Sequence, residues 1–83
     1  MTLENLRKAQ RVIGVKQVTK AINKDQVSYV FLGADADGRV VEPLVDLCTE
    51  RKIPLETACT MGELGKVCSI EVGAAAVAVL KQD

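Results

Sequence analysis

Apolar residues recur along this chain in two alternating rhythms, and the alternation predicts the fold before any chemistry is considered. Leu3, Leu6 and Ala9 give a weak helical stripe that stops at Gln10, and Arg11–Val12–Ile13 follows as a short strand ending at Gly14. From 15 to 24 the aliphatic side chains return at helical spacing. VSYVFLGA at 27–34 is β-branched and aromatic, the mark of a strand, and its unbroken apolar run suggests burial on both faces.

DADG at 35–38 ends that strand, and VVEPLVDLCTER continues as a helix with Val41, Leu44, Val45 and Cys48 on one side. Pro43 is compatible with this helix only near its first turn, because proline lacks the N–H that later turns require. IPLETAC is a short strand. TMGE then has the form of a capping box, in which the Thr60 hydroxyl and the Glu63 carboxylate satisfy each other's backbone donors. The helix it starts runs to about Cys68, and AAAVAVL at 74–80 is small and uninterrupted, as a central strand packed between helices would be. The order is α β α β α β α β in one domain over 1–83, an α/β fold. We expect a three-layer α/β/α sandwich around a mixed sheet of about four strands.

Composition narrows the chemistry. The chain contains no histidine, which excludes Cys/His and Ser/His nucleophiles, and neither a Walker phosphate loop nor a dinucleotide fingerprint is present. Cys48, Cys59 and Cys68 are odd in number and widely spaced, so they suit neither zinc nor a disulfide framework and read as small buried hydrophobes. DADG resembles part of a calcium loop, but Gly33 and Leu44 stand where that loop needs ligands. Asp35 and Asp37 then read as a pair capping the following helix. No cofactor, no metal and no enzymatic activity are expected. No segment is long and apolar enough to span a bilayer and no secretory signal opens the chain, so a cytoplasmic monomer without membrane contact is the expectation.

Charge adds a direction. Residues 1–24 hold Arg7, Lys8, Arg11, Lys16, Lys20 and Lys24 against Glu4, a balance of plus five, while the other 59 residues hold five bases and ten acids. That asymmetry suits an anionic partner for the basic part, with the acidic part limiting non-specific adhesion, although mutual attraction of the two parts gives the same count. In the helix at 15–24, Val15, Val18 and Ile22 share a narrow arc, and Lys16, Gln17, Lys20 and Lys24 lie almost opposite. Those cations begin right after Gly14, at the end of the helix where peptide N–H groups already favour anions. Helix stability alone does not explain them. A solvated face and a surface for phosphate or base edges both remain open at this level.

The segment G-V-K-Q-V-T-K-A resembles the G-x-N-E-x-T-K signature of the kink-turn RNA-binding ribosomal proteins, the L7Ae/L30e superfamily. E-L-G-K-V-C-S-I-E-V-G-A-A-A-V is similar to the L-G-x-A-x-x-I-E-V-x-A-A loop and strand of that family, with Val67 at its first alanine, and the short bacterial members of YbxF type look most alike. The resemblance implies an α/β/α sandwich that binds a kink-turn, a sharply bent internal loop with tandem G·A pairs, in ribosomal or other structured RNA. It places Gly14 against the RNA backbone, Lys16, Gln17 and Lys20 on the guanines, Ile70, Glu71 and Val72 over an unstacked nucleotide, and Asp37 beside the site. Lys16–Gln17 departs from the Asn-Glu of the family and exchanges a carboxylate for an amide and a cation. Ile70 and Val72 have core packing as their alternative. A protein-interaction module docking an acidic partner through the basic helix is the competing function.

Overall fold

The computed structural model describes Leu6 and residues 8–81. The first expected helix, with Leu3, falls partly outside the described residues, but Leu6 and Lys8 within it are helical. Four strands follow: β1 (Arg11–Ile13), β2 (Val27–Gly33), β3 (Leu55–Cys59) and β4 (Ala76–Leu80). Three helices alternate with them: α1 (Val15–Asn23), α2 (Gly38–Arg51) and α3 (Met61–Val67).

The strand order across the sheet is β1-β4-β2-β3. β4 runs antiparallel to both neighbours, with Ile13 opposite Val77 on one side and Leu32 opposite Ala76 on the other, and β2 runs parallel to β3. The sheet is mixed, and β4 is interior as its small apolar run predicts. β1, β2 and β3 therefore share a direction, so each delivers the chain to the same end of the sheet. All three helices start there.

Each face of the sheet carries its own core, which makes the three layers. Val18, Ala21 and Ile22 of α1 and Leu44 and Cys48 of α2 pack on Val30, Leu32, Ala76 and Ala78. On the other face Leu6, Leu64 and Cys68 pack on Phe31, Val77 and Val79. Fully buried side chains such as Phe31, Leu44 and Leu64 contribute about 1.5–3 kcal/mol each, more than a typical helix cap at about 1 kcal/mol, so packing holds the layers together. The three cysteines are buried and unbridged, as expected, and burial pushes the Cys48 and Cys59 thiols up.

Several details depart from the pattern. β2 is not buried throughout: Ser28 is exposed and Tyr29 half-buried, because a register shift between Val27 and Tyr29 against β4 breaks the two-residue alternation. α2 begins at Gly38, which places Pro43 in its second turn. There the proline is exposed, so the Arg39 carbonyl that loses its helical donor faces water. Only Asp37 caps α2, whereas Asp35 accepts from the Met61 amide of α3 at 2.7 Å. Among the described residues, no helix is long and apolar enough to cross a membrane.

Candidate nucleic-acid interface

The predicted site residues lie at or near the end of the sheet where the helices start. Gly14 donates its amide to the Ala76 carbonyl at 2.8 Å, which fixes the start of α1 beside the first residue of β4. The loop feeding β4 holds Ile70, Glu71, Val72 and Gly73. Val72 is four residues before Ala76, so the chain cannot carry it farther than about 14 Å from that strand end. Asp37 enters from the neighbouring β2–α2 connection, since β2 lies next to β4.

Local sequence explains how each part is held. Gly14 is the N-cap of α1 at φ 99° and ψ 144°, a backbone region open to glycine and costly for other residues. A Cβ there would meet nothing within 4 Å, so the demand is conformational and the space outside remains open. Val18 donates to the Gly14 carbonyl at 2.9 Å and closes the first turn. The amides of Val15, Lys16 and Gln17 precede that bond and have no helical acceptor. No side chain caps them and no acid lies in the first turn.

The other two helix starts are treated differently. Asp37 accepts from the Arg39 amide at 2.9 Å and caps α2. At α3 the capping box is present in both directions, with the Glu63 amide donating to Thr60 Oγ1 at 3.2 Å and the Thr60 amide donating to Glu63 Oε1 at 3.1 Å. The Thr60 bonds hold the Glu63 carboxyl below its ordinary range. Two of the three gathered helix ends therefore carry carboxylates and are satisfied from within. The α1 end carries Lys16 instead.

Lys16, Gln17 and Lys20 are exposed on α1. Thr19, between them, turns back and donates to the Val15 carbonyl at 2.8 Å. Among the described residues, the ion pairs are Arg39–Asp37 and Lys81–Asp25, so neither lysine is neutralised by an acid of this chain. Arg11 departs from the basic surface expected of it. Its guanidinium donates to the carbonyls of Leu6, Ala9 and Cys68 at 3.3–3.4 Å, tying the first helical stretch to the end of α3.

The loop at 70–72 divides into two roles. Ile70 is half-buried against the α3-side core, whereas Val72 is 71% exposed. The loop is laid on α3 at Gly65, where a Cβ would collide with the Val72 carbonyl. Beside it opens a groove of about 420 Å³ lined by Thr60, Glu63, Lys66, Ile70, Glu71 and Val72, among others. Lys66 is the cation that the spacing argument passed over. It lies inside the second quoted motif, four residues before Ile70, at a position the motif leaves undefined. Asp35 was also misplaced, because its partner Met61 is 26 residues away.

Comparison with known proteins places the chain in a family. The family model of the ribosomal protein L7Ae/L30e/S12e/Gadd45 family matches residues 2–83. An "RNA-binding protein" of Geobacillus thermodenitrificans is 37% identical over 82 residues, covering 98% of this chain and 100% of the relative. "RNA-binding protein YbxF" of Geobacillus stearothermophilus matches at the same 37% over 82 residues, again 98% of this chain and 100% of the relative. Among solved structures, a Bacillus halodurans protein of unknown function superposes with a TM-score of 0.81 at 26% identity, over 95% of this chain and 77% of the other. A Giardia lamblia 15.5 kD RNA-binding protein superposes at 0.82 over 98% of this chain and 67% of the other; at 24% identity it speaks for the fold alone.

Proposed function

Because this chain belongs to the ribosomal protein L7Ae/L30e/S12e/Gadd45 family, we propose that it is a non-catalytic RNA-binding protein that recognises and stabilises kink-turns in ribosomal or other structured RNA. Relatives matched over nearly their whole length are named for RNA binding and not for a reaction. It acts in the cytoplasm as a monomer, free or on the ribosome.

One observation carries the reading: of the three helix starts gathered at one end of the sheet, the α1 start has no carboxylate and instead presents bare amides with Lys16, Gln17 and Lys20. An anion satisfies that arrangement, and a polyanion with accessible base edges satisfies all of it. Lysine donates to guanine O6 and N7, and the Gln17 amide both donates and accepts, so the pair reads a guanine edge without the carboxylate of the Asn-Glu pattern. Regular A-form RNA hides that edge in a deep major groove, which makes a sharp bend the RNA form that fits. Val72 supplies an exposed aliphatic surface for an unstacked base, with Ile70 supporting the loop from below and Glu71 exposed between them. Asp37 keeps the adjacent helix start closed to anions and limits the phosphate path to α1.

A protein-docking role for the basic helix lacks the aromatic anchors usual at such interfaces. Phe31 is buried and Tyr29 packs against the α3-side core, 5.0 Å from the Phe31 ring. The test is titration into a duplex containing a kink-turn and into the same duplex with its G·A pairs changed to Watson–Crick pairs. Tight binding to the first and weak, salt-sensitive binding to the second is expected; equal binding to both sinks the proposal.

A further inference from the structure

α1 and α2 cover the same face of the sheet, pack against each other and start from the same end of it, so they run side by side in one direction. Packed helices lie roughly 8–10 Å apart axis to axis. On α2 the buried side is marked by Leu44 and Cys48. With about 100° of rotation per residue, Glu42, Asp46 and Glu50 fall in one arc directly opposite that side, and all three are exposed. On α1 the same construction from Val18, Ala21 and Ile22 puts Lys16, Lys20 and Lys24 in the outward arc. The surface of this layer is thus a cationic ridge beside an anionic ridge, with the same four-residue repeat.

The two ridges do not neutralise each other. Among the described residues none of these six side chains forms an ion pair. Arg39, at the start of α2, falls in the same arc but is directed to Asp37 at 3.5 Å, and the two together add no net charge to the ridge. Helix stability does not call for this layout, because like charges at four-residue spacing repel on both helices.

We infer that Glu42, Asp46 and Glu50 determine RNA specificity by repulsion, keeping a straight duplex from lying along the lysines of α1. This rests on the kink-turn reading and extends it to residues that touch no RNA. The physical reason is width and range. A straight duplex seated along α1 is broader than the separation of the two helices and carries its phosphates over α2. The acids then act within about one Debye length of roughly 8 Å, where salt does not remove the repulsion. A bent RNA engaged at the shared helix-start end meets Lys16, Gln17 and the 70–72 loop, and its arms can leave the domain without crossing the α2 ridge. Repulsion against the wrong ligand creates specificity as effectively as attraction for the right one.

The experiment measures binding of the full chain to a kink-turn RNA and to a straight duplex of equal length, for the wild type and for Glu42→Gln/Asp46→Asn/Glu50→Gln. These neutral, near-isosteric changes lie on an exposed face and preserve the core. The variant should bind the straight duplex about fivefold or more tightly and the kink-turn less than about twofold more tightly, the scale of three screened charges near the phosphate track. Asp46→Asn alone is compared with Glu56→Gln, which makes the same change in net charge from β3. Its partner in register, Phe31, belongs to the core of the opposite face. Only Asp46→Asn should move duplex binding. An unchanged ratio between the two RNAs, or an equal effect of Glu56→Gln, overturns the inference while leaving the kink-turn reading standing. Equal wild-type affinity for the two RNAs refutes that reading, and the inference with it.

Discussion

The Gly14 amide donates to the Ala76 carbonyl at 2.8 Å, and that bond joins the start of α1 to the strand fed by the 70–73 loop. Two motifs that begin 49 residues apart in sequence thereby become parts of one edge. Everything proposed for RNA binding depends on this adjacency.

Gly14→Ala tests the geometry. With φ at 99° the alanine must adopt a backbone region that costs about 1–3 kcal/mol, although its methyl meets no atom. Thermal unfolding should shift down by about 4–8 °C for each kcal/mol lost in a domain of this size. RNA affinity should fall further than stability accounts for, since the added carbon occupies the space where the RNA backbone approaches. A variant as stable as the wild type contradicts the strained-cap account.

Lys20→Ala tests the chemistry. The side chain is exposed and no ion pair holds it among the described residues, so the melting temperature should hardly move. Kink-turn affinity should weaken by about 1–3 kcal/mol if the lysine contacts a base, or the salt slope should shrink by about one if it contacts a phosphate. Fluorescence anisotropy over a salt series separates these outcomes, and no change in either quantity places Lys20 outside the interface.

Arg11→Ala should do the reverse. Its guanidinium bridges the Leu6, Ala9 and Cys68 carbonyls, and although Leu6 keeps its bond from the Ala9 amide, removing the bridge breaks part-buried hydrogen bonds at about 1–3 kcal/mol and lowers the melting temperature. Arg11→Lys recovers only part of this, because an ammonium cannot reproduce the planar fork. A loss of RNA affinity in Arg11→Ala without loss of stability refutes the structural role.

The capping box gives a pH dependence. The folded-state pKa of Glu63 is lowered, chiefly by its bond from the Thr60 backbone, so its contribution is complete above the ordinary value of 4.5 and is lost as pH falls through the lowered one. Protection of the Thr60 amide, taken relative to its intrinsic exchange rate at each pH, should therefore fall on acidification below that range while β4 amides keep theirs. Glu63→Gln, which can still cap but does not titrate, should remove the acid sensitivity.

What could be read from the chain follows the range of each interaction. The capping box was legible because Thr60 and Glu63 are three residues apart, and the interior position of β4 because small apolar residues on both faces leave no solvent side. The faces of α1 followed from helical periodicity, since Val18 and Ile22 had to point inward. The strand order was not legible, because pairing β1 with β4 spans most of the chain. Asp35 was misassigned for the same reason, since nothing near it indicates Met61, and nothing near Arg11 indicates its bond to the Cys68 carbonyl. The candidate site residues come from motif likeness, but the division between half-buried Ile70 and exposed Val72 depends on how the loop lies across Gly65.

The central claim is that one end of the sheet is the RNA face, and chemical-shift mapping tests it most directly. On titration of the amide-labelled protein with a kink-turn RNA, resonances of Gly14, Lys16, Gln17, Lys20 and residues 70–73 should move together. Asp25, Gln26 and Lys81, which line a separate groove at the opposite end of β2 and β4, should stay in place. Shifts concentrated at Asp25, Gln26 and Lys81 with the Gly14–Lys20 segment silent would contradict the account.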